Sequence, residues 1–345
     1  MQTVTLARHA MATRFELVLH GDHPAALRAA GEEALDEIDR LENQLSLYRS
    51  GSEIAQLNAR AAREPVRVTP AVFALLQQAQ QLHAETGGAF DITIAPLVRC
   101  WGFMDGSGRM PAKDEIAKAR AKVGMQHVHL DPQNRAVRFA HEGVMLDLGA
   151  IGKGYAVGQA AEILRGAGIA SALIHGGTST VYAIGSPPGG EFWKVAIETP
   201  PAIVDEPENR RTGEPATAAD SPSRRLAVSP AQPAAIRLRD EAMSVSAMWG
   251  RSFQSDGNTF GHVIDPRTGE PVKRSLLAVV VLPSATETDA LSTALLTLGG
   301  AGHEAIARLR PGMRTLLVAH TEKGLRAETR GFEALPDGCF YALKN

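Results

Sequence analysis

The sequence predicts an α+β protein with largely antiparallel sheets and packed helices, and three observations carry that expectation. Strand-like runs alternate irregularly with helical ones. Several strands meet at tight Asp-Pro, Asp-Gly or Thr-Gly turns, and no repeat of fixed short period runs through the 345 residues. A content of 44% hydrophobic and 21% charged residues is enough to bury a large core. We read one domain over residues 1–345, with a proline-rich insertion at about 199–235.

Taken in chain order, Phe15 to Leu19 alternates apolar and polar side chains as a strand does, and Pro24 to Leu47 carries a long helical pattern. "SLYRSGSEIAQLNA" reads as a turn and a second short helix. "TPAVFALLQQAQQLHAET" is a helix with Thr69 as N-cap, Pro70 at its first position and Gly87-Gly88 past its end. Val128 to Phe139 gives two short strands around "DPQN". Met145, Leu146 and Leu148 look like the end of a buried strand, and Tyr155 to Leu164 has helical spacing. Residues from roughly Thr199 to Pro233 lack apolar periodicity and read as a mobile insertion. Beyond it come the strands "AIRLRD", "AMSVSA", "LLAVVVL" and "RTLLVAH", with a helix from about Thr286.

A net charge of -2 offers no basic field, which argues against nucleic-acid binding. Cys100 and Cys339 stand far apart without a C-x-x-C, so both read as small apolar residues. The N-terminal stretch shows neither a signal segment nor a membrane span, giving a cytoplasmic expectation for the chain as written. A precursor that had lost its signal would look the same, so an extracytoplasmic, periplasmic form is the alternative.

Four stretches concentrate chemistry. In "MLDLGAIGKGYAVGQAAEIL", Asp147 and Lys153 sit around a strand-to-helix turn, where free backbone N–H groups and the helix dipole attract phosphate. The glycines fit neither G-x-x-x-x-G-K-[ST] nor G-x-G-x-x-G, and a plain relaxed turn is the competing reading. In "SATETDALSTALLTLGG", Asp289 and Thr293 are one helical turn apart and offer two oxygens to one hard cation. Alternatively Thr286 and Asp289 form a capping box, and Thr293 bonds back to the Asp289 carbonyl. In "TFGHVIDPRTGEPV", His262 precedes a tight turn and is either structural or a general base. "TGGAFDITIAPLVRCWGF" places Asp91 beside Phe90 and Trp101, aromatics suited to the core or to a flat ligand.

In this order and wording the stretches resemble the ApbE-like FAD:protein FMN transferases. The resemblance runs from "MATRFEL" through "LSLYRSGSEIAQLN", "TGGAFDITIAPLVRCWGF", "LDLGAIGKGYAVGQAAEIL", "IHGGT" and "GHVIDPRTGEPV" to "ETDALSTALLTLG". It implies an ApbE-like fold and a magnesium-dependent reaction that moves FMN from FAD to a threonine or serine of an acceptor protein, releasing AMP. The same site would also serve an FAD pyrophosphatase or a non-catalytic FAD binder. By motif, Asp289 and Thr293 with the Ala150 carbonyl would hold Mg2+, and Asp147 and Lys153 would contact FAD. His262 would take the hydroxyl proton or orient the phosphate. Met11, Tyr48, Ala89, Phe90, Asp91 and Ile264 would wall the FAD pocket. The chain departs from the family at "GGTS", where a GGD-like run is usual, and at "VSAMWG", where a TSG-like run is usual. Family members are often exported lipoproteins, and no lipoprotein cysteine precedes Met11 here.

Overall fold

A computed structural model describes residues 1–197, 225–226, 235–255, 257–321, 324–334 and 339–342. Among them, one nine-stranded sheet organises the molecule. Its strand order is Gln2–Ala10, Thr13–Gly21, Ser171–Gly176, Thr180–Ile184, Glu241–Ala247, Ser275–Leu282, Arg314–Thr321, Gly324–Arg330 and Arg225–Leu226. Every neighbouring pair is antiparallel. A smaller sheet of Phe332–Ala334, Cys339–Ala342, Ala235–Leu238 and Trp193–Ala196 contains one parallel pairing, between Ala235–Leu238 and Cys339–Ala342.

The helices are α1 (Pro24–Leu45), α2 (Glu53–Arg60), α3 (Pro70–Glu85), α4 (Ala95–Cys100), α5 (Lys113–Arg120), α6 (Gly152–Gly166) and α7 (Ala285–Ala307). One face of the large sheet presents Phe15, Leu17, Ile174 and Val280 to the apolar sides of α1, α6 and α7, including Ile38, Val157 and Leu291. The opposite face presents Val181, Met243, Val279 and Leu316 to Trp193, Val195, Ile236 and Leu238 of the small sheet. Cover on both faces explains why all eight residues of Ser275–Leu282 are buried, and why that strand reads as a continuous apolar run. A third cluster joins Leu97, Trp101 and Phe103 to Phe253 and Phe260 on a β-hairpin, Ser252–Ser255 with Asn258–Gly261.

Most elements fall where periodicity put them. Several details differ. Met145 to Leu148 belongs to no sheet: the Asn58 side chain donates to the Leu146 carbonyl at 2.9 Å and accepts from its N–H at 2.7 Å. A side-chain amide thus replaces the ladder partner that a strand would need. Thr69 is the N-cap of α3, yet its side chain makes no capping bond; the hydroxyl donates to Glu53 instead. The N-cap of α7 is Ser284, whose hydroxyl accepts from the Glu287 N–H, so Thr286 and Asp289 lie inside the helix and do not form a capping box. Gln2–Ala10 is a strand that periodicity did not announce. The proline-rich insertion lies outside the described residues, except that Arg225–Leu226 pairs with Ala327 and Glu328.

Candidate FAD and metal site

The N-terminus of α6 sets the floor of the site. The Asp147 N–H donates to the Ile92 carbonyl, and the Asp147 carboxylate turns the chain by accepting the Gly149 N–H at 2.8 Å. Desolvation in this corner raises the Asp147 pKa, against the pull of the Gly149 N–H and the charges of Lys153 and Arg251. Lys153 folds back to donate to the Gly149 carbonyl at 2.9 Å. Helix α7 crosses next to this turn, and the Gly154 N–H donates to Asp289 Oδ2 at 2.9 Å. Glycine is required there: a Cβ would strike the Ala285 carbonyl oxygen and approach Asp289 Cβ to 2.7 Å.

This contact prepares a set of hard oxygens. Gly154 gives its N–H to Asp289, and no backbone N–H of the described residues donates to the Ala150 carbonyl four residues earlier. Asp289 is buried, and the Gly154 N–H is the donor that holds its carboxylate. Thr293 stands one turn on, with its hydroxyl donating to the Asp289 carbonyl at 3.3 Å. That back-bond and the cleft-facing position coexist, because a hydroxyl keeps lone pairs after donating its proton. A carboxylate oxygen, a hydroxyl and an unclaimed carbonyl suit a hard cation such as Mg2+ better than a zinc-type site. No group of three or more His, Cys, Asp or Glu side chains forms a metal cluster among the described residues.

His262 follows the hairpin on the wall. Its Nδ1 lies 3.2 Å from the Arg251 carbonyl, and a carbonyl can only accept, so Nδ1 carries the proton and Nε2 keeps a lone pair. Burial lowers its pKa, with the Arg251 and Lys153 charges acting in the same direction against that backbone hydrogen bond. The ring is therefore a neutral base near pH 7.

The twelve residues marked in the sequence meet around one cleft of about 1130 Å3. They differ in what they offer. Tyr48 is 64% exposed, so its ring is free to meet a ligand. Asp91 is buried: it accepts from the Thr93 N–H and hydroxyl and pairs with His83 at 3.1 Å. Burial lowers the His83 pKa, but the Asp91 hydrogen bond and charge outweigh it and raise the value overall. Ala89, Phe90 and Ile264 are almost wholly enclosed, and Phe90 belongs to the main core. Trp101 also serves the interior, donating to the Gly269 carbonyl at 2.8 Å. Met11 and Ala12 form the two-residue turn between the first strands, both with positive φ (49° and 58°). Sequence reasoning missed four residues: Gly154, Ser246, Arg251 and His175. Of these, Ser246, Arg251 and His175 line the cleft. Arg251 stands one position past the quoted "VSAMWG"; Gly154, His175 and Ser246 lie inside quoted stretches, but their roles depend on long-range packing that the wording of those stretches does not report.

These features define a cleft protein with hard-oxygen donors at a helix start and a neutral imidazole on the facing wall. The ApbE family profile matches residues 11–317, and the chain belongs to that family. A Klebsiella pneumoniae protein named FAD:protein FMN transferase is 29% identical over 309 residues, covering 87% of this chain and 79% of that protein. The solved Pseudomonas stutzeri flavinyl transferase ApbE superposes with a TM-score of 0.77 at 28% identity, covering 95% of this chain and 94% of that one. The ApbE protein of Thermotoga maritima gives 0.77 at 26% identity, with 94% and 96% covered.

Proposed function

We propose that this protein transfers FMN from FAD to a threonine or serine hydroxyl of an acceptor protein, in a magnesium-dependent reaction that releases AMP. Family membership and the named relatives support flavin transfer from FAD. The observation that carries the reading is a neutral His262, its Nε2 lone pair free, in the same cleft as Asp289, Thr293 and Ala150.

The acceptor oxygen forms a bond to the FMN-side phosphorus, and the bond from that phosphorus to the bridging oxygen breaks, so AMP leaves with that oxygen. The hydroxyl proton goes to His262 Nε2. Asp289, Thr293 and the Ala150 carbonyl would hold Mg2+, which when bound neutralises charge on the pyrophosphate. Lys153 on the floor and Arg251 on the wall add fixed positive charge, and the exposed ring of Tyr48 gives a flat ligand a stacking face. No described helix is long and apolar enough to cross a membrane.

Incubation with FAD, Mg2+ and a threonine-bearing acceptor tests the reading. Covalent flavin on the acceptor with equimolar AMP is the expected result. Free FMN and AMP with an unmodified acceptor would make water the nucleophile and the protein a pyrophosphatase. Bound FAD without either product would make it a binder.

A further inference from the structure

The strand Glu241–Ala247 runs beside α7, and Ser246 stands where the strand meets the metal-binding turn of that helix. Its Oγ lies 2.8 Å from Ser292 Oγ and 3.2 Å from Thr293 Oγ1. Ser292 Oγ in turn lies 3.0 Å from the Asp289 carbonyl. Hydroxyls have one proton each, so the directions of these bonds follow by counting. A carbonyl only accepts, so Ser292 spends its proton on Asp289. Ser246 must then donate to Ser292. Ser246 has no second proton, so in its contact with Thr293 it accepts, and the single Thr293 proton is shared between Ser246 Oγ at 3.2 Å and the Asp289 carbonyl at 3.3 Å.

We propose that Ser246 is a positioning residue: together with the Asp289 carbonyl it holds the Thr293 proton away from the cleft, so that Thr293 presents a lone pair to the cation. The inference rests on the reading of Thr293 as a metal ligand. Without Ser246, the remaining internal acceptor for Thr293 is the Asp289 carbonyl, at 3.3 Å and already shared with Ser292. The orientation of Thr293 is therefore set by the neighbouring strand as well as by its own helix. That dependence matters for a cation with strict geometric demands. It also gives a physical role to a serine in the segment where the chain departs from the family wording.

Mn2+ binding, measured by electron paramagnetic resonance on FAD-loaded protein and again without FAD, tests this directly. Groups that orient metal ligands typically contribute roughly 10–100-fold in affinity. Ser246→Ala is expected near the lower end of that range, with unchanged FAD affinity in the absence of metal. Ser246→Thr keeps the hydroxyl and should restore binding. Ser292→Ala should weaken Mn2+ in the same direction by a smaller factor, because Ser246 would then be free to donate to Thr293 and occupy a lone pair. Thr293→Ala is the control that separates the two levels. If it leaves Mn2+ affinity unchanged, the ligand assignment fails and the relay falls with it. If Thr293→Ala weakens binding but Ser246→Ala does not, the relay alone is overturned. A drop in melting temperature with Mn2+ affinity intact in Ser246→Ala, or no effect of Ser292→Ala, also overturns it.

Discussion

The floor of the cleft and its wall are secured by different means. On the floor, α6 and α7 share a hydrogen bond between Gly154 and a buried carboxylate, and hydroxyls of the adjacent strand bond to α7. On the wall, His262 and Arg251 flank a two-stranded hairpin whose residues are mostly exposed or half-buried, held by Phe253 and Phe260 against Trp101 and Phe103. Hard-cation chemistry needs fixed oxygens, so the floor is placed in the core. On the proposed reading, a base that serves a protein acceptor must be reachable from solvent, and the wall that carries His262 is the more exposed of the two. Immobility and access are assigned to separate elements, and substitutions in the two should fail differently.

The largest expected effect is on the floor. Asp289→Ala should lower metal-supported turnover by on the order of 10³-fold, the scale of losing a charge-stabilising group, and should weaken Mn2+ binding. Asp289→Asn can still accept the Gly154 N–H but has no charge. If it retains metal-supported turnover, the carboxylate is only a helix cap. On the wall, His262→Ala should slow transfer by about 10²–10⁴-fold with little change in FAD affinity. The pH profile sharpens this. Because burial lowers the His262 pKa, the wild-type rate should hold as pH falls through 6.5 and decline only below it; that limb should vanish in the variant. A wild-type rate in His262→Ala would remove the imidazole from proton transfer.

Gly154→Ala tests the junction that defines the floor. Its new Cβ meets Ala285 and Asp289, so α6 and α7 must separate, at a cost of about 1–3 kcal/mol of overpacking. Urea unfolding together with Mn2+ titration should show both quantities falling. Stability alone falling would uncouple the packing from the site.

The far end of α7 offers a contrast within one element. His303 lies past Gly299, a break in the helix with φ 62°, and is fully buried; its Nδ1 has no hydrogen-bond partner among the described residues, the Glu328 carboxylate lying 3.8 Å away. Burial, then the charge of Arg330, lowers its pKa to about 4. The unfolded chain therefore takes up a proton near pH 6.5 that the folded protein refuses, so stability should fall as pH drops from 6.5 to about 4. The loss is at most about 3 kcal/mol and levels off below that window. His303→Gln should flatten this part of the curve of melting temperature against pH, with the metal site unaffected. The smallest effect is expected at the Met11-Ala12 turn. Ala12→Gly relieves a left-handed alanine and should raise stability by about 1 kcal/mol, without altering FAD affinity.

Much of this molecule is legible in its sequence, and the illegible part has a common cause. Elements that state their own boundaries were found: Pro70 opening α3, the valine run of Ser275–Leu282, the apolar spacing of α6. The segment at Met145 reads as a strand but joins no sheet, because its partner is one asparagine side chain 88 residues away. The cap of α7 was misplaced by two residues because Thr286-x-x-Asp289 imitates a capping box while Ser284 performs the task. In the cleft, residues marked by motif came together. Gly154 and Ser246 did not announce themselves, since their importance lies in how closely two helices and a strand approach.

The Gly154–Asp289 bond joins residues 135 positions apart, and so it dates the site within the life of the chain. Closing a loop of that length is entropically slow, and non-local contacts form late in folding. During synthesis the α6 turn leaves the ribosome long before α7 exists to supply its carboxylate. On the proposed reading, an unfinished chain therefore carries an Asp147 turn without Asp289 and Thr293, and has no means of cleaving FAD before α7 is in place.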